Sequence, residues 1–219
     1  MPAATATDRA YQWAKARILD GRFPGGELIT EGEVSTGVGV SRTPVREAFL
    51  RLESEGLLRL YPKRGALVTP ISVGQVESVM ETRLVIERHA LAKVIALGSA
   101  PKAEMEQALA RQVRFAARDD PRAFVEADRE FHRLYVAAAA NPILLALYDS
   151  LRDQQSRMGL SAIARDERRT ARILEEHTHL VAALVRRDTG DALAIIDAHL
   201  TETLRLLLSH PAAAGSRAA

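Results

Sequence analysis

Apolar residues along this chain recur mainly with the spacing of α-helices. Within 44–55, Val45, Ala48, Phe49 and Leu52 stand at i, i+3, i+4 and i+7, the spacing of a stripe buried on one helix face. With breaks at Gly, Pro, Asn and Asp, the same periodicity predicts two earlier helices, over 8–20 and 30–38. Six later helices are predicted over 72–98, 101–118, 121–140, 142–164, 166–187 and 189–209.

Two short apolar runs, over 57–60 and 66–69, interrupt the helical pattern. The segment Tyr61-Pro62-Lys63-Arg64-Gly65 joins them, so they predict a β-hairpin with a basic tip. After Pro70 only helical periodicity remains, and the short loops imply antiparallel neighbours in a bundle. We therefore expect a mainly α fold in two domains, 1–70 with helices and a hairpin and 71–219 with helices alone.

Composition narrows the class of protein. The 219 residues include no Cys, which excludes disulfides and thiolate metal sites. No apolar run reaches the roughly 18 residues needed to span a bilayer, and the start MPAATATDRA lacks the pattern of a signal peptide. We expect a cytoplasmic protein without a membrane partner. The net charge of +2 lies wholly in residues 1–70, a weak indication of an anionic partner.

The start of the helix over 44–55 carries side chains suited to DNA. Arg42 and Thr43 precede it, and Arg46 lies off its buried stripe. Arginine can bind guanine O6 and N7 through two hydrogen bonds, and free N–H groups at a helix start can hold a phosphate. Together with the helix over 30–38 and the turn at Gly39, this pattern predicts a helix-turn-helix. The alternative is a solvated charged face.

Several motifs resemble those of GntR-superfamily transcription regulators. They are Gly21-Arg22-Phe23-Pro24-Gly25-Gly26-Glu27-Leu28, Val40-Ser41-Arg42-Thr43-Pro44-Val45-Arg46-Glu47-Ala48, Leu52-Glu53-Ser54-Glu55-Gly56-Leu57 and Arg64-Gly65-Ala66-Leu67-Val68. The helical remainder resembles the FCD (FadR C-terminal domain-like) effector domain. The resemblance implies an N-terminal winged helix-turn-helix with a β-hairpin wing and a C-terminal antiparallel α-helical bundle.

The predicted DNA-binding residues follow from this resemblance and from the basic hairpin tip. They are Ser41, Arg42, Thr43, Arg46, Lys63, Arg64 and Gly65. One departure is Gly32, where some relatives place a DNA-contacting arginine in the second helix. Six predicted C-terminal helices favour the smaller VanR-like branch over the seven-helix FadR-like branch, which argues against sensing of an acyl-CoA.

Three histidines and one aspartate are predicted to face the bundle core. Asp128 and His132 are four residues apart on one helix, and His177 and His199 stand on apolar arcs of two others. Hydrogen-bonded core histidines are the plain alternative. The set suits a first-row divalent ion, with zinc the first choice and nickel or manganese open. The FCD resemblance implies the same four ligands. His179 faces another way, and His89 and His210 have no evident partner.

Arg83 lies on the same core-facing side of its helix as Glu87. This placement predicts either an internal ion pair with Glu87 or a bidentate hydrogen bond to an effector carboxylate, here called a clamp. The resemblance implies the clamp. We expect a regulator, specifically a repressor, that binds a near-palindromic double-stranded operator as a homodimer and responds to a small organic acid. The alternatives are a metal-responsive regulator, an architectural DNA-binding protein and a metalloenzyme.

Overall fold

The first structural unit combines three helices with a small sheet. The computed structural model describes residues 4–209, so residues 1–3 and 210–219, which include His210 and the end of the predicted second domain, lie outside the description. Contacts divide the described chain into two units, one ending at Ser72 and the other beginning at Val73. Elements of the first unit are α1 (Ala6–Leu19), β1 (Leu28–Ile29), α2 (Glu31–Val38), α3 (Arg42–Ser54), β2 (Leu58–Tyr61) and β3 (Gly65–Val68).

The sheet of this unit has the order β1-β3-β2, and both pairings are antiparallel. Strands β2 and β3 form the predicted hairpin, each within one residue of its expected bounds. Strand β1 was not predicted, because its two residues carry no period that a sequence can show. Its Ile29 is buried in the same apolar core as Val45, Phe49 and Leu52 of α3, so β1 joins the sheet to the helices.

Helix α3 begins at Arg42, two residues earlier than predicted. Pro44 is therefore the third helical residue rather than the first. Proline is tolerated there because it lacks only a backbone N–H, and the N–H groups of the first turn have no partner within a helix. Ser41 occupies the N-cap position with extended backbone, but its side chain makes no capping hydrogen bond. At the other end Gly56 adopts φ +73°, the left-handed conformation expected of a residue that terminates a helix.

The second unit contains helices alone among the described residues. They are α4 (Val73–Leu97), α5 (Lys102–Ala116), α6 (Pro121–Ala138), α7 (Pro142–Ser150), α8 (Arg152–Arg165), α9 (Arg169–Arg186) and α10 (Thr189–Ser209). Asn141 caps α7 by accepting hydrogen bonds from the backbone N–H groups of Ile143 and Leu144, at 3.1 and 3.2 Å. Within residues 4–209, no helix combines the length and apolar character that a membrane span requires.

The single helix predicted over 142–164 is wrong. It is two helices, which are separated at Leu151, where φ −83° and ψ 1° leave the helical conformation. The described part of the second unit therefore has seven helices rather than six. The VanR-like branch loses its argument from helix number and stays a prediction.

Candidate nucleic-acid interface and candidate metal centre

Helices α2 and α3 meet through a tight turn. Gly39 adopts φ +72° after α2, and the hydroxyl of Ser35 donates a hydrogen bond of 2.5 Å to the carbonyl of Val40. One face of α3 is buried through Val45, Ala48, Phe49 and Leu52. The opposite face is therefore held outward, with the free N–H groups of its first turn at its start.

The side chains predicted to read DNA lie on this outward surface. Ser41, Arg42, Thr43 and Arg46 are all exposed. Because the positive end of the helix dipole lies at the same point, the start of α3 favours an anionic partner such as a phosphate. The exposure of these residues permits the predicted contacts with DNA, which stay a prediction.

Arg46 is already held by a carboxylate that the sequence did not single out. Its Nε and Nη2 donate to the two oxygens of Glu31 at 2.8 and 3.0 Å, although the Arg46 side chain is 68% exposed. Hydrogen bonding from Arg46 lowers the pKa of the Glu31 carboxyl. Glu31 lies in the first turn of α2, so the pair joins the two helices and fixes the direction of the guanidinium.

The hairpin tip exposes Lys63 and Arg64, as a wing would require. Gly65 has a steric role that the sequence did not reveal. It adopts φ +109°, and a Cβ there would lie 2.3 Å from the carbonyl oxygen of Ile29. Glycine at this position lets β3 approach β1, and its contact with DNA stays a prediction.

In the second unit, the structure brings together the four predicted metal ligands. One ligand atom from each of Asp128, His132, His177 and His199 lies within 4.8 Å of the others. The three histidines are buried and Asp128 is partly buried. They come from α6, α9 and α10, so the cluster depends on the packing of three helices.

Each histidine is oriented by an acceptor at Nδ1. For His132 the acceptor is Glu87 at 2.8 Å, for His177 it is the Gln112 side-chain oxygen at 2.9 Å, and for His199 it is Glu176 at 2.7 Å. Since carboxylates only accept, the bonds to Glu87 and Glu176 place the proton on Nδ1 of His132 and of His199 and leave their Nε2 atoms with a lone pair. This is the arrangement that fixes histidine ligands around a metal ion.

The unprotonated atoms fit a cation. The Nε2 atoms of His132 and His177 are 3.2 Å apart, and both rings are buried. Asp128 Oδ1 is 3.7 Å from His177 Nε2 and is a buried oxygen without a hydrogen-bond partner among the described residues. A divalent ion bound by three imidazoles and a carboxylate would satisfy all of these atoms.

Burial lowers the pKa of two of the three histidines, His177 and His199, and so favours their neutral imidazoles. Burial lowers the pKa of His177 well below its ordinary value, and nearby positive charge adds to the effect. Burial acts to raise the pKa of Glu87, but Arg83 and His132 outweigh it and hold that pKa far below its usual range. Glu87 is thus a permanent acceptor, and it also receives hydrogen bonds from the hydroxyls of Tyr135 and Tyr148.

Arg83 forms the internal ion pair that the sequence offered as one alternative. Its Nε donates to Glu87 Oε1 at 2.8 Å, and both side chains are buried. Arg83 also lines a cavity of about 30 Å³ with Asp128 and His199, so it lies beside two of the predicted metal ligands while it is paired with Glu87. Its role as a carboxylate clamp stays a prediction.

Comparison with known proteins assigns both units to a family. Residues 78–202 match the FCD domain, and residues 6–68 match the bacterial regulatory proteins of the gntR family. This chain belongs to the GntR family of regulators and carries an FCD domain. The GntR-family chain is therefore a DNA-binding transcription regulator and not an enzyme.

Sequence relatives agree with this membership, and a solved structure shares the fold. The HTH-type transcriptional repressor RspR of Escherichia coli is 29% identical over 196 residues, which cover 88% of this chain and 84% of RspR. An HTH-type regulator from the TAR-I ttuE-ttuC' intergenic region of Agrobacterium vitis is 33% identical over 60% of this chain and 79% of its own length. A GntR regulator structure from Rhodococcus sp. RHA1, 21% identical, shares the fold with a TM-score of 0.77 and covers 94% of this chain and 99% of its own.

The cavity of this GntR-family chain is also lined by buried polar residues that the sequence analysis did not identify. Arg129, Gln155 and Arg169 line it, and each keeps a buried side-chain N–H without a partner among the described residues. An unsatisfied buried donor costs about 1–3 kcal/mol. Helical spacing could have found Arg169, because it precedes Ile173 by four residues and His177 by eight and so shares their buried face.

Proposed function

We propose that this chain is a ligand-responsive transcriptional repressor in the cytoplasm that binds a near-palindromic operator as a homodimer. The observation that supports it is one chain carrying both an exposed, arginine-bearing helix start and a buried cluster of metal ligands beside an arginine-lined cavity. Ser41, Arg42, Thr43 and Arg46 would contact the major groove, and Lys63, Arg64 and Gly65 would contact the backbone or the minor groove.

Asp128, His132, His177 and His199 would hold a divalent ion, for which zinc is the first choice and nickel or manganese are alternatives. The ion, when bound, supplies positive charge that attracts a carboxylate. Arg83 lines the cavity next to two of these ligands and would donate to the same carboxylate while its Nε stays with Glu87. The effector of this proposal is therefore a small organic acid.

The effector changes DNA affinity only if it binds one arrangement of the dimer better than another. The operator-binding arrangement must hold two copies of α3 about one helical turn of DNA apart. An acid that draws the cavity walls together would favour one spacing of the two DNA-binding units.

Two relatives with repressor names support this proposal. RspR is named a repressor, and a Bacillus subtilis relative, 25% identical over 85% of this chain and 78% of its own length, is named the gluconate operon transcriptional repressor. Gluconate is a hydroxylated organic acid, so the name associates this relative with the class of compound that we propose here.

The DNA-binding half is tested with Arg46→Ala. An operator is first selected from random double-stranded DNA with the full-length protein, and binding is then measured by fluorescence anisotropy. We expect Arg46→Ala to abolish specific binding while metal content stays normal. Arg118→Ala, which removes the same charge from an exposed position of the second unit, is the control. Intact operator binding by Arg46→Ala would refute the assignment of α3 as the reading helix.

The sensing half is tested by elemental analysis and native mass spectrometry of the purified protein. We expect one divalent ion per chain, together with any acid that copurifies. The four-ligand cluster also supports a second candidate, a metal-responsive regulator. Operator affinity that follows free metal concentration would favour this candidate, whereas a bound ion that does not exchange would favour the acid. A response to neither would indicate an architectural protein.

A further inference from the structure

Gly32 lies in the first turn of α2, next to the guanidinium of Arg42 from α3. A Cβ at this position would be 3.7 Å from Arg42 Nη2 and 3.9 Å from the Thr30 hydroxyl oxygen. Gly32 lies within the helix and does not have a positive φ, so neither a turn nor backbone strain requires a glycine there. The missing side chain leaves open the space in which the Arg42 guanidinium lies.

Arg42 and Arg46 are both exposed on α3, but they differ in their partners. Arg46 occupies both carboxylate oxygens of Glu31, at 2.8 and 3.0 Å. Arg42 makes no side-chain hydrogen bond or ion pair within residues 4–209. Its charge nevertheless lies near Glu31, because it adds to the stronger effect of Arg46 in lowering the pKa of that carboxyl. The N–H donors of the Arg42 guanidinium are therefore open to a new acceptor, whereas those of Arg46 are shared with Glu31.

A guanidinium with open donors is suited to recognition of a base. Arginine binds guanine through two hydrogen bonds, to O6 and N7, so the group must be placed accurately. Arg42 is the first residue of α3, and the N-terminal residues of a recognition helix are those that contact base edges in a helix-turn-helix. A Cβ at position 32 would already be in van der Waals contact with Arg42. Side-chain atoms beyond Cβ that extend toward the guanidinium would therefore displace it.

We infer that Gly32 is a specificity-determining residue, which leaves the space that the Arg42 guanidinium needs in order to bind a guanine of the operator. The inference deepens the proposed function and rests on its assignment of α3 as the reading helix. The effect of Gly32 runs through Arg42 and needs no contact between Gly32 and DNA. A longer side chain at position 32 should therefore remove one base preference while the positive charge of Arg42 still attracts the phosphate backbone.

The test measures base preference at one operator position at a time. An operator selected with the full-length protein is compared with its single-base-pair substitutions by fluorescence anisotropy at constant salt. Arg42→Ala identifies the position at which the preference for guanine depends on Arg42. We expect Gly32→Leu to reduce the preference at this same position about fivefold or more, as loss of a bidentate contact would, and to leave other preferences unchanged. An undiminished preference in Gly32→Leu, or in Arg42→Ala at every position, would overturn the inference.

Gly32→Ala is the matched control, because its Cβ would make only ordinary contacts. We expect it to keep the guanine preference. A double variant with Gly32→Leu and Arg42→Ala separates displacement of Arg42 from a direct clash between leucine and DNA. If Gly32 acts through Arg42, the double variant has no lower preference than Arg42→Ala alone. A loss of affinity that is equal for all bases and persists in the double variant would contradict the inference. If circular dichroism shows that Gly32→Leu does not fold, Gly32→Gln takes its place.

Failure of this inference differs from failure of the proposed function. If Arg46→Ala abolishes operator binding but Gly32→Leu keeps the full guanine preference, the role of Gly32 is refuted and the DNA-binding regulator stands. If Arg46→Ala binds the operator normally, the assignment of α3 as the reading helix is refuted, and the inference about Gly32 is refuted with it.

Discussion

Glu31 holds the guanidinium of Arg46, the side chain that we propose contacts DNA. Its carboxylate accepts from two donors of Arg46 and places a negative charge beside the proposed DNA-reading surface of α3. Removing that charge strengthens attraction to any phosphate backbone, whereas releasing the guanidinium loosens its direction. We expect Glu31→Gln to raise affinity for random DNA several-fold and to reduce the ratio of operator to random affinity, both measured by fluorescence anisotropy at two salt concentrations.

Glu33→Gln separates the two effects of this change. Glu33 is exposed on the same helix, so its substitution removes the same charge without touching Arg46. We expect random affinity to rise but the ratio to stay near that of the unchanged protein. If both variants alter the ratio equally, charge alone explains the result and Glu31 does not direct Arg46.

Gly37 shows why a helix-breaking residue occurs within α2. A Cβ at this position would lie 2.2 Å from the ring of Trp13, so the glycine leaves space for the indole. We expect Gly37→Ala to lower the free energy of unfolding by about 1–3 kcal/mol despite alanine's better helix propensity. Urea denaturation followed by circular dichroism and by the fluorescence of Trp13, the single tryptophan of the chain, measures the change.

Gly32→Ala is the control on the same helix. A Cβ there would make only ordinary contacts, the nearest 3.7 Å from Arg42 Nη2. Propensity alone should then raise the free energy of unfolding by about 0.5–1 kcal/mol. Destabilisation of similar size by both substitutions would show that Trp13 is not the reason for Gly37.

At the scale of elements, Glu55 ties the end of α3 to α1. It receives hydrogen bonds from Lys15 Nζ at 2.8 Å and from the Tyr11 hydroxyl at 2.6 Å. Burial acts to raise the pKa of the Glu55 carboxyl, but the bonds from Lys15 and Tyr11 outweigh it and leave that pKa below its ordinary value of 4.5. A depressed pKa means that the contribution to stability is complete above the unfolded-state pKa and disappears as pH falls through the folded-state pKa.

We therefore expect Glu55→Gln to be less stable than the unchanged protein by about 0.5–1.5 kcal/mol at pH 7. This difference should shrink as the pH falls below about 4.5 and the carboxyl in the unchanged protein becomes protonated. Urea titrations read by Trp13 fluorescence at several pH values measure it. A difference that persists undiminished at pH 3 would assign the effect to shape rather than to charge.

Helix boundaries could be predicted from the sequence only where local residues mark them. Asp120-Pro121 and Asn141-Pro142 mark helix starts that the sequence predicts and the structure contains, since capping and proline geometry act within a few residues. The break at Leu151 has no such residues, because Ser150-Leu151-Arg152 is compatible with a continuous helix. It therefore could not be inferred from the sequence and required tertiary packing to be known.

At the scale of the whole molecule, helical periodicity in the sequence predicts which residues face the core, but it does not predict which residues of other helices they contact. Asp128, His132, His177 and His199 could be placed together because each shares an arc with apolar residues and the set suits one ion. Arg169 follows a charged run, Arg165 to Arg168, which is typical of a solvated surface. Helical spacing nevertheless places Arg169 on the buried face of α9, whereas its hydrogen bond to Thr203, 34 residues away on α10, leaves no local trace in the sequence.

Removal of the proposed metal ion should weaken the whole second unit, because its four predicted ligands lie on α6, α9 and α10. An ion that binds only the folded state stabilises it by about 4 kcal/mol when its free concentration is a thousand times Kd. We expect exhaustive chelation to lower the thermal midpoint measured by far-ultraviolet circular dichroism, and zinc to restore it.

His177→Ala and His179→Ala show whether the fall in the thermal midpoint on chelation comes from loss of the ion or from nonspecific effects of the chelator. His177 is a buried predicted ligand stacked on Phe131 with ring centroids 4.1 Å apart, whereas His179, two residues away, is exposed. His179→Ala should bind one ion and lose the same increment on chelation. His177→Ala should start at a lower midpoint, bind less metal and respond little to chelator. If chelation lowers the midpoint of His177→Ala as far as that of His179→Ala, the stabilising ion must lie elsewhere, because a cluster without His177 has lost one of the three imidazoles that would bind it.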